Sequence, residues 1–188
     1  MPEDVRVFKS KRDIETALIQ LTLEKDFHRI TIQQICQKAL VSRSTFYSHY
    51  LDKYDVIEQL AAKTRAQLEE KFSQKYQAQI SADNLQDFLA DIYNFYQENR
   101  LTLKALLKTP LTGKGNFEES FRQLCQKYTN QLFQQENART DLPPQLLTEL
   151  FTVNILTLMK WMLDHQPSAE ITAFANQMHR FFLRLIQN

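Results

Sequence analysis

Residues that interrupt helices are scarce in this sequence. The 188 residues include only 2 glycines and 5 prolines. Glycine weakens a helix through its backbone freedom, and proline through its missing N–H. Apolar residues make up 43% of the chain and charged residues 24%, which is a globular composition. We therefore predict an all-α protein, organised as one large helical domain or two small ones.

Cysteine and net charge are also low. The two cysteines, Cys36 and Cys125, lie far apart, each on the apolar face of a predicted helix. We interpret them as buried free thiols in a reducing compartment. The formal net charge is only +1, so the chain lacks the overall basic excess that indicates nucleic-acid binding. The small positive excess of residues 1–65 is too weak to carry an argument.

Targeting signals are missing as well. Residues 1–13 have no apolar core, so we do not read them as a signal peptide. The most apolar run, residues 146–163, contains Glu149, Asn154 and Lys160. Such polar residues favour a buried or interfacial helix over a membrane span. We expect a cytoplasmic protein with no membrane partner.

Motifs of catalysis and metal binding do not occur. The sequence has no glycine-rich phosphate loop, HExxH, CxxC or nucleophile elbow. His165 and His179 have no partner at metal-ligand spacing. We therefore predict no enzymatic activity, no cofactor and no metal site.

Apolar residues recur at helical spacing along most of the chain. Three side chains mark helix starts: Thr31, which forms a capping box with Gln34, and Ser42 and Asp52 as N-caps. The pattern predicts nine helices: Ser10–Lys25, Thr31–Ala39, Arg43–Tyr50, Lys53 to about Tyr76, one from Leu85, about Leu101–Lys108, Phe117–Glu136, one that follows a loop ending at Pro144 and runs to about His165, and one opened by Pro167 and Ser168. The domain boundary falls at the fourth helix, so residues 1–52 and 53–188 share a rigid helix instead of a linker.

The short second and third helices have the size and spacing of a helix-turn-helix, whose second helix enters the DNA major groove. Residues 40–42 form the turn. Leu40 stands where such turns commonly have glycine, so a positive φ there would be strained. The alternative is an ordinary helical bundle, in which two short helices meet at a tight turn and a Ser/Thr face is merely solvated.

The third helix separates its residues by chemistry. At 100° per residue, Phe46 and Tyr50 share one face and, with Val41, can dock onto the first two helices. The remaining residues lie on the other side: Ser44, Thr45 and Ser48 opposite, Tyr47 and His49 on the flanks, and Arg43 at the tip. Hydroxyls bind phosphates and base edges, and arginine binds guanine in a bidentate way. This composition favours a DNA-reading helix.

Residues 10–60 resemble the TetR family of bacterial transcriptional regulators. The resemblance rests on the threonine before the second helix, the Ala-x-Val-Ser turn at 39–42, Thr-Phe-Tyr-x-His-Tyr at 45–50 and the lysine at 53. Residues 117–185, with Leu-Met-Lys-Trp at 158–161, are similar to the C-terminal region of members from low-GC Gram-positive bacteria. Leu40 departs from the family's usual glycine.

The resemblance implies a homodimer with nine helices per subunit, in which the first three bind half of a palindromic operator in double-stranded DNA. It also implies that a small effector can enter the larger domain and move the DNA-reading heads apart. By matching position, phosphate contacts are implied for Thr31, Thr45, Tyr47, His49 and Lys53, and base contacts for Arg43, Ser44 and Ser48. Ser42 completes this predicted DNA-binding set.

The last two helices predict the subunit interface. The eighth is apolar nearly all round, and the ninth repeats apolar residues at a spacing of three to four. A second subunit is the simplest cover for such surfaces, although a monomer with a fully internal eighth helix is an alternative. The predicted interface residues are Leu150, Leu158, Phe174, Met178, Phe181, Phe182 and Leu185.

Aromatic residues are concentrated in the fifth, seventh and eighth helices, where they predict either a ligand cavity or plain core. The candidate lining residues are Phe88, Tyr93, Tyr96, Phe121, Cys125, Tyr128, Phe151 and Trp161. Cys125 fits a redox sensor or a buried structural thiol. We predict a dimeric DNA-binding transcriptional repressor released by a small-molecule effector. The alternative is a TetR-like co-activator that acts mainly through a protein partner.

Overall fold

A computed structural model describes residues 5–77, 85–111, 116–135, 142–165 and 168–187. Within these ranges, the side chains of 75–77, 85–90, 132–135, 179, 182–183 and 185–187 are not described. The described part is all-α, as predicted. Its helices are α1 Val5–Glu24, α2 Ile32–Ala39, α3 Arg43–Tyr47, α4 Lys53–Gln77, α5 Leu85–Glu98, α6 Arg100–Lys108, α7 Phe117–Gln135, α8 Pro144–Asp164 and α9 Ala169–Gln187. A 3₁₀ helix, Phe27–Arg29, precedes α2.

Local capping contacts set the starts of α2 and α4. The Gln34 N–H donates to Thr31 Oγ1 at 3.3 Å, and the Thr31 N–H donates to Gln34 Oε1 at 3.1 Å, which completes the predicted capping box. Asp52 Oδ1 accepts from the N–H groups of Tyr54 at 2.8 Å and Asp55 at 2.9 Å. These contacts span only two or three residues, and they satisfy helix N–H groups that have no partner inside the helix.

Two helix bounds differ from the prediction by more than one residue. α1 starts at Val5, before the predicted Ser10. The Ser10 hydroxyl does not cap; it donates to the Arg6 carbonyl at 2.9 Å, one turn earlier in a continuous helix. α3 ends at Tyr47 instead of Tyr50, although the Tyr50 N–H still donates to the Phe46 carbonyl at 3.0 Å. The side chain of Tyr50 therefore keeps the direction that the helical pattern predicts.

The chain divides into two compact units. The first comprises residues 1–66 and 100–118, so it contains α1, α2, α3, the start of α4 and α6. Its core includes residues with no exposed surface: Ile14, Leu18, Ile35, Phe46, Val56, Ile57 and Leu103. α6 belongs here because it packs on α1, where Lys108 Nζ donates to the Leu23 carbonyl at 3.1 Å. The predicted division at residue 52 did not include α6 in the first unit.

The second unit comprises residues 67–99 and 119–188, with the remainder of α4 and the helices α5, α7, α8 and α9. One stripe of α8 is buried: Leu147, Thr148, Thr152, Leu156, Met159 and Leu163. By length and composition alone, α8 is the one described helix that is apolar enough to cross a membrane. A core helix passes the same test, and 39% of the most apolar window of α8 is buried within the chain.

Candidate nucleic-acid interface and ligand cavity

The turn after α2 has left-handed backbone at Leu40, with φ 56° and ψ 37°. Leu40 is the one non-glycine residue with positive φ among the described residues. The Val41 N–H donates to the Cys36 carbonyl at 3.0 Å, and the Leu40 N–H reaches the Gln37 carbonyl at 3.4 Å. This pair of bonds is the Schellman arrangement, which usually has glycine at the left-handed position. The positive φ that glycine commonly provides in such turns is therefore present here on leucine, whose side chain is 93% exposed.

Two aromatic side chains hold α3 against the first unit. Phe46 has no exposed surface, and Tyr50 is 2% exposed. The Tyr50 hydroxyl donates to Glu15 Oε1 on α1 at 3.1 Å. A five-residue helix would not persist in water by itself, so this burial and the bond to α1 keep it in place. The apolar face that the helical period predicts is the face that packs.

The other side of α3 is polar and open. Arg43, Ser44, Tyr47 and Ser48 are exposed, and Thr45 and His49 are half-buried. Among the described residues, no hydrogen bond or ion pair holds the Arg43 guanidinium. A long cation without a partner, beside short polar side chains, suits a surface that approaches a groove of DNA.

Hydroxyl groups at the start of α3 are ordered by one another. Ser42 Oγ accepts from the Thr45 N–H at 3.0 Å, so Ser42 is the N-cap that the sequence predicts. The same oxygen lies 2.8 Å from both Ser44 Oγ and Thr45 Oγ1. Ser48 Oγ donates to the Thr45 carbonyl at 2.8 Å. Local bonds thus orient these hydroxyls, and Ser44 and Ser48 stay accessible.

The two remaining predicted phosphate contacts are engaged in intramolecular bonds. Thr31 is exposed, but its hydroxyl accepts the α2 capping bond. Lys53 Nζ donates to three backbone carbonyls, those of Phe27 at 2.8 Å, His28 at 3.0 Å and Ile30 at 2.9 Å. Asp52 caps the first N–H groups of α4. The start of α4 therefore does not present a free ammonium. The family resemblance had implied that Lys53 contacts phosphate.

A cleft between α1 and the turn carries basic residues that the sequence analysis did not assign. Arg6 and Lys9 lie there with Lys38, beside Leu40 and Val41. Lys38 Nζ is 2.6 Å from Glu24 Oε1. The early start of α1 places Arg6 and Lys9 on a helix next to the reading turn. The run of basic residues at positions 6–12 was the signal in the sequence.

The second unit contains a largely apolar cavity of about 90 Å³. Its lining comes from α4, α5, α8 and α9: Phe72, Ile92, Tyr93, Tyr96, Phe151, Ile155, Leu158, Met162, Thr172, Ala175 and Asn176. Three of the predicted lining residues are therefore present, Tyr93, Tyr96 and Phe151. Leu158, which is also predicted at the dimer interface, lines the cavity.

Four predicted lining residues lie elsewhere, and a fifth cannot be placed. Phe121, Cys125 and Tyr128 are buried core residues of α7, because the apolar stripe of that helix packs inward. Trp161 is 38% exposed and stacks on His165, with ring centroids 4.2 Å apart. The side chain of Phe88 lies outside the described residues.

Tyr96 lines the cavity, and its hydroxyl is buried without a hydrogen-bond partner among the described residues. Burial raises the pKa of Tyr96 well above its usual range, and the nearby Cys125 adds to this shift. Burial also raises the pKa of Cys125 to about 12. A protonated, enclosed thiol is a poor nucleophile, which favours the structural interpretation of Cys125 over a sensor.

α8 and α9 leave apolar side chains in solvent. The exposed fractions are 49% for Leu150, 43% for Val153, 47% for Phe174 and 54% for Phe181. Met178 is half-buried, and the side chains of Phe182 and Leu185 lie outside the described residues. Exposed aromatic and aliphatic groups on neighbouring helices are typical of a protein–protein interface.

Comparison with known proteins defines the fold. No family model matches the sequence. A curated relative, the uncharacterized HTH-type transcriptional regulator YxbF of Bacillus subtilis, is 36% identical over 58 residues, which are 31% of this chain and only 14% of the relative. Solved structures align over almost the whole chain, at identities that establish the fold alone.

The NalD repressor of the MexAB-OprM efflux pump in Pseudomonas aeruginosa is 18% identical, with 95% of this chain and 97% of NalD covered and a TM-score of 0.69. A TetR transcriptional regulator from Streptococcus agalactiae is 22% identical, with coverages of 98% and 97% and a TM-score of 0.65. The dihydroxyacetone kinase operon activator DhaS is 16% identical, with coverages of 95% and 96% and a TM-score of 0.61. The chain thus has the fold of TetR-family transcriptional regulators, a fold shared by repressors and an activator.

Proposed function

We propose that this protein is a dimeric DNA-binding transcriptional regulator of the TetR type, acting in the cytoplasm as a repressor that a small effector releases. The observation that carries the proposal is the division of α3 into a buried aromatic face and an open polar one. Phe46 has no exposed surface, whereas Arg43 and Ser44 are exposed. The alternative of a co-activator that does not read DNA leaves this open polar face without a use.

The residues of α3 have distinct roles in the proposed complex. Arg43 reads guanine from the tip of the helix, and Ser44 and Ser48 approach base edges most closely. Thr45, Tyr47 and His49 contact phosphates on the flanks, which sets register but not sequence preference. Thr31 adds a phosphate contact at the start of α2, and Ser42 orients the hydroxyls through the bonds described above.

Replacing Arg43 by alanine tests the DNA interface. An operator selected from a random DNA library would be titrated by fluorescence anisotropy with the parent, Arg43→Ala and Arg65→Ala. Arg65 is also exposed, but it lies twelve residues after Lys53 on α4. We expect Arg43→Ala to cost about 1–3 kcal/mol of binding and to relax the preference for one base pair. Equal affinities of the two variants on the selected operator would reject the assignment.

Exposed apolar residues of α8 and α9 support the proposed dimer. Two reading helices must meet successive major grooves, which lie about 34–36 Å apart in B-DNA. Phe174→Glu would place a charge in the interface, so we expect a shift toward monomer in sedimentation velocity. Leu101→Glu is the matched control, because Leu101 is 57% exposed on α6, outside the proposed interface. A dimer that survives Phe174→Glu at equal strength would move the interface elsewhere.

The cavity supports an effector of defined chemistry. Its size is below the 150 Å³ or so of an engineered apolar cavity that binds benzene, so we infer a compact ligand. Its apolar walls exclude a charged molecule, and the Tyr96 hydroxyl needs one hydrogen-bonding partner. The proposed effector class is therefore a small, uncharged, mostly apolar molecule with a single polar group.

A pair of ligands of equal size tests this effector class. Cyclopentanone offers a carbonyl oxygen to Tyr96, whereas methylcyclopentane has the same number of heavy atoms and no polar group. We expect cyclopentanone to stabilise the parent more in thermal unfolding and to weaken its operator complex. Tyr96→Phe should remove the difference between the ligands. Equal effects of both ligands on the parent would show that Tyr96 does not select the effector.

A further inference from the structure

Lys53 is the first residue of α4, and its ammonium group binds three backbone carbonyls. Nζ lies 2.8 Å from the Phe27 carbonyl, 3.0 Å from that of His28 and 2.9 Å from that of Ile30. A lysine ammonium has three protons, so these three carbonyls use its full donor capacity. No proton remains for a phosphate while the contacts persist.

Two aromatic rings lie beside the same ammonium group. Nζ is 4.9 Å from the centroid of the Phe27 ring and 5.4 Å from that of Tyr54. The two rings contact each other edge to face, with centroids 5.2 Å apart. Phe27 is only 3% exposed. A cation near the face of an aromatic ring gains a further attraction.

The ammonium group of Lys53 lies next to the start of α2. The three carbonyls belong to residues 27–30, and the next residue, Thr31, is the N-cap of α2. The carbonyl of Phe27 also accepts the Ile30 N–H at 3.2 Å, so the 3₁₀ turn supports the same geometry. Lys53 therefore joins the first turn of α4 to the segment that sets where α2 begins.

We propose that Lys53 is a positioning residue of the DNA-reading head, one that holds residues 27–31 against α4 and does not contact phosphate. The proposed role of Lys53 rests on the proposed DNA-binding function, but the contacts of Lys53 with residues 27–30 exist without DNA. A displacement of the first turn of α4 would act on α2 through these contacts. Lys53 thereby sets the orientation of α2 and α3 toward the operator.

Lys53→Arg distinguishes the two roles, since it keeps the charge. A phosphate contact tolerates this exchange, because arginine also binds phosphate. A planar guanidinium does not reproduce three converging bonds from one nitrogen. We expect the hydrogen-bonded amides of this segment, those of Ile30, Thr31 and Gln34, to exchange with solvent about tenfold faster or more, the effect of losing one hydrogen bond to a charged group. This measurement needs no DNA, so it stays informative even if DNA binding fails.

Lys53→Met adds the salt dependence of operator binding. Methionine keeps much of the stem and removes all donors. Loss of a phosphate contact would reduce the slope of log affinity against log salt by about 0.9 for each protomer. We expect an unchanged slope with weaker binding at every salt concentration. Lys63→Met is the matched control on the same helix. Lys63 is exposed, and its Nζ lies 3.7 Å from Glu15 Oε2. This variant should alter neither the amide exchange nor the salt slope.

Two results would overturn the proposal. The first is parent-like amide exchange at Ile30, Thr31 and Gln34 in Lys53→Arg. The second is a reduced salt slope in Lys53→Met together with unchanged amide exchange, which would return Lys53 to the phosphate contacts. A third result would separate the two proposals. If the parent and both variants bind no DNA selectively, while amide exchange still rises in Lys53→Arg, the positioning role stands and the proposed function fails.

Discussion

Replacing Leu40 by glycine should stabilise the first unit, because the turn holds a leucine in left-handed backbone. Its φ of 56° and ψ of 37° place Cβ close to the following carbonyl. This conformation costs about 1–2 kcal/mol for a residue with Cβ. The side chain is 93% exposed, so its removal uncovers almost no apolar surface.

The expected net gain is smaller than the strain. Glycine loses more backbone freedom on folding than other residues, at a cost of roughly 0.5–1 kcal/mol. The difference leaves about 0.5–1 kcal/mol in favour of Leu40→Gly. For a chain of this length, each kcal/mol raises the melting temperature by about 2–4 °C. Urea unfolding followed by circular dichroism would measure the free energy, and a thermal scan would give the second estimate.

Leu101→Gly provides a control with the opposite sign. Leu101 is also an exposed leucine, at 57%, but it lies within α6. Leu101 is the second residue of α6, so glycine there should destabilise, but by less than the roughly 1 kcal/mol of a helix interior. Leu40→Ala keeps the left-handed strain and should stay close to the parent. If Leu40→Gly unfolds at the same or lower urea concentration than the parent, Leu40 is not strained and the reasoning fails.

Three further results are expected. Thr31→Ala removes the α2 capping bond and should lower the unfolding free energy by about 1 kcal/mol, measured in urea, whereas Gln33→Ala on the exposed side of α2 should not. Phe46 has no exposed surface, so Phe46→Ala leaves a cavity and should lower the unfolding free energy by about 3–5 kcal/mol. Loss of operator binding without loss of stability would contradict the anchoring role of Phe46. Burial raises the pKa of the Cys125 thiol to about 12, above its ordinary value of 9.0. As pH rises, this thiol therefore deprotonates in the unfolded chain before it deprotonates in the folded one. Stability of the parent should therefore fall as pH rises above 9, more steeply than in Cys125→Ala, and equal slopes would refute the burial of this thiol.

Local features could be predicted from the sequence because their partners are close along the chain. The capping box of Thr31 and Gln34, the N-caps at Ser42 and Asp52 and the positive φ at Leu40 each depend on one to three neighbouring residues. The two faces of α3 follow from the helical period, since only one face can be buried. The all-α fold follows from the scarcity of glycine and proline.

Only the tertiary structure decided the features whose partners are distant in sequence. Lys53 looks like a free cation at a helix start, and its carbonyl partners lie 23 to 26 residues earlier. The aromatic residues of α7 resemble cavity residues, yet packing placed them in the core. Packing also buried the hydroxyl of Tyr96, a residue that lines the cavity, without a hydrogen-bond partner among the described residues. Helical periodicity shows which face of a helix is apolar, but it does not show which neighbour covers that face. The neighbour is chosen by the packing of the whole unit, and therefore the roles of Lys53 and Tyr96 emerge only from the folded chain.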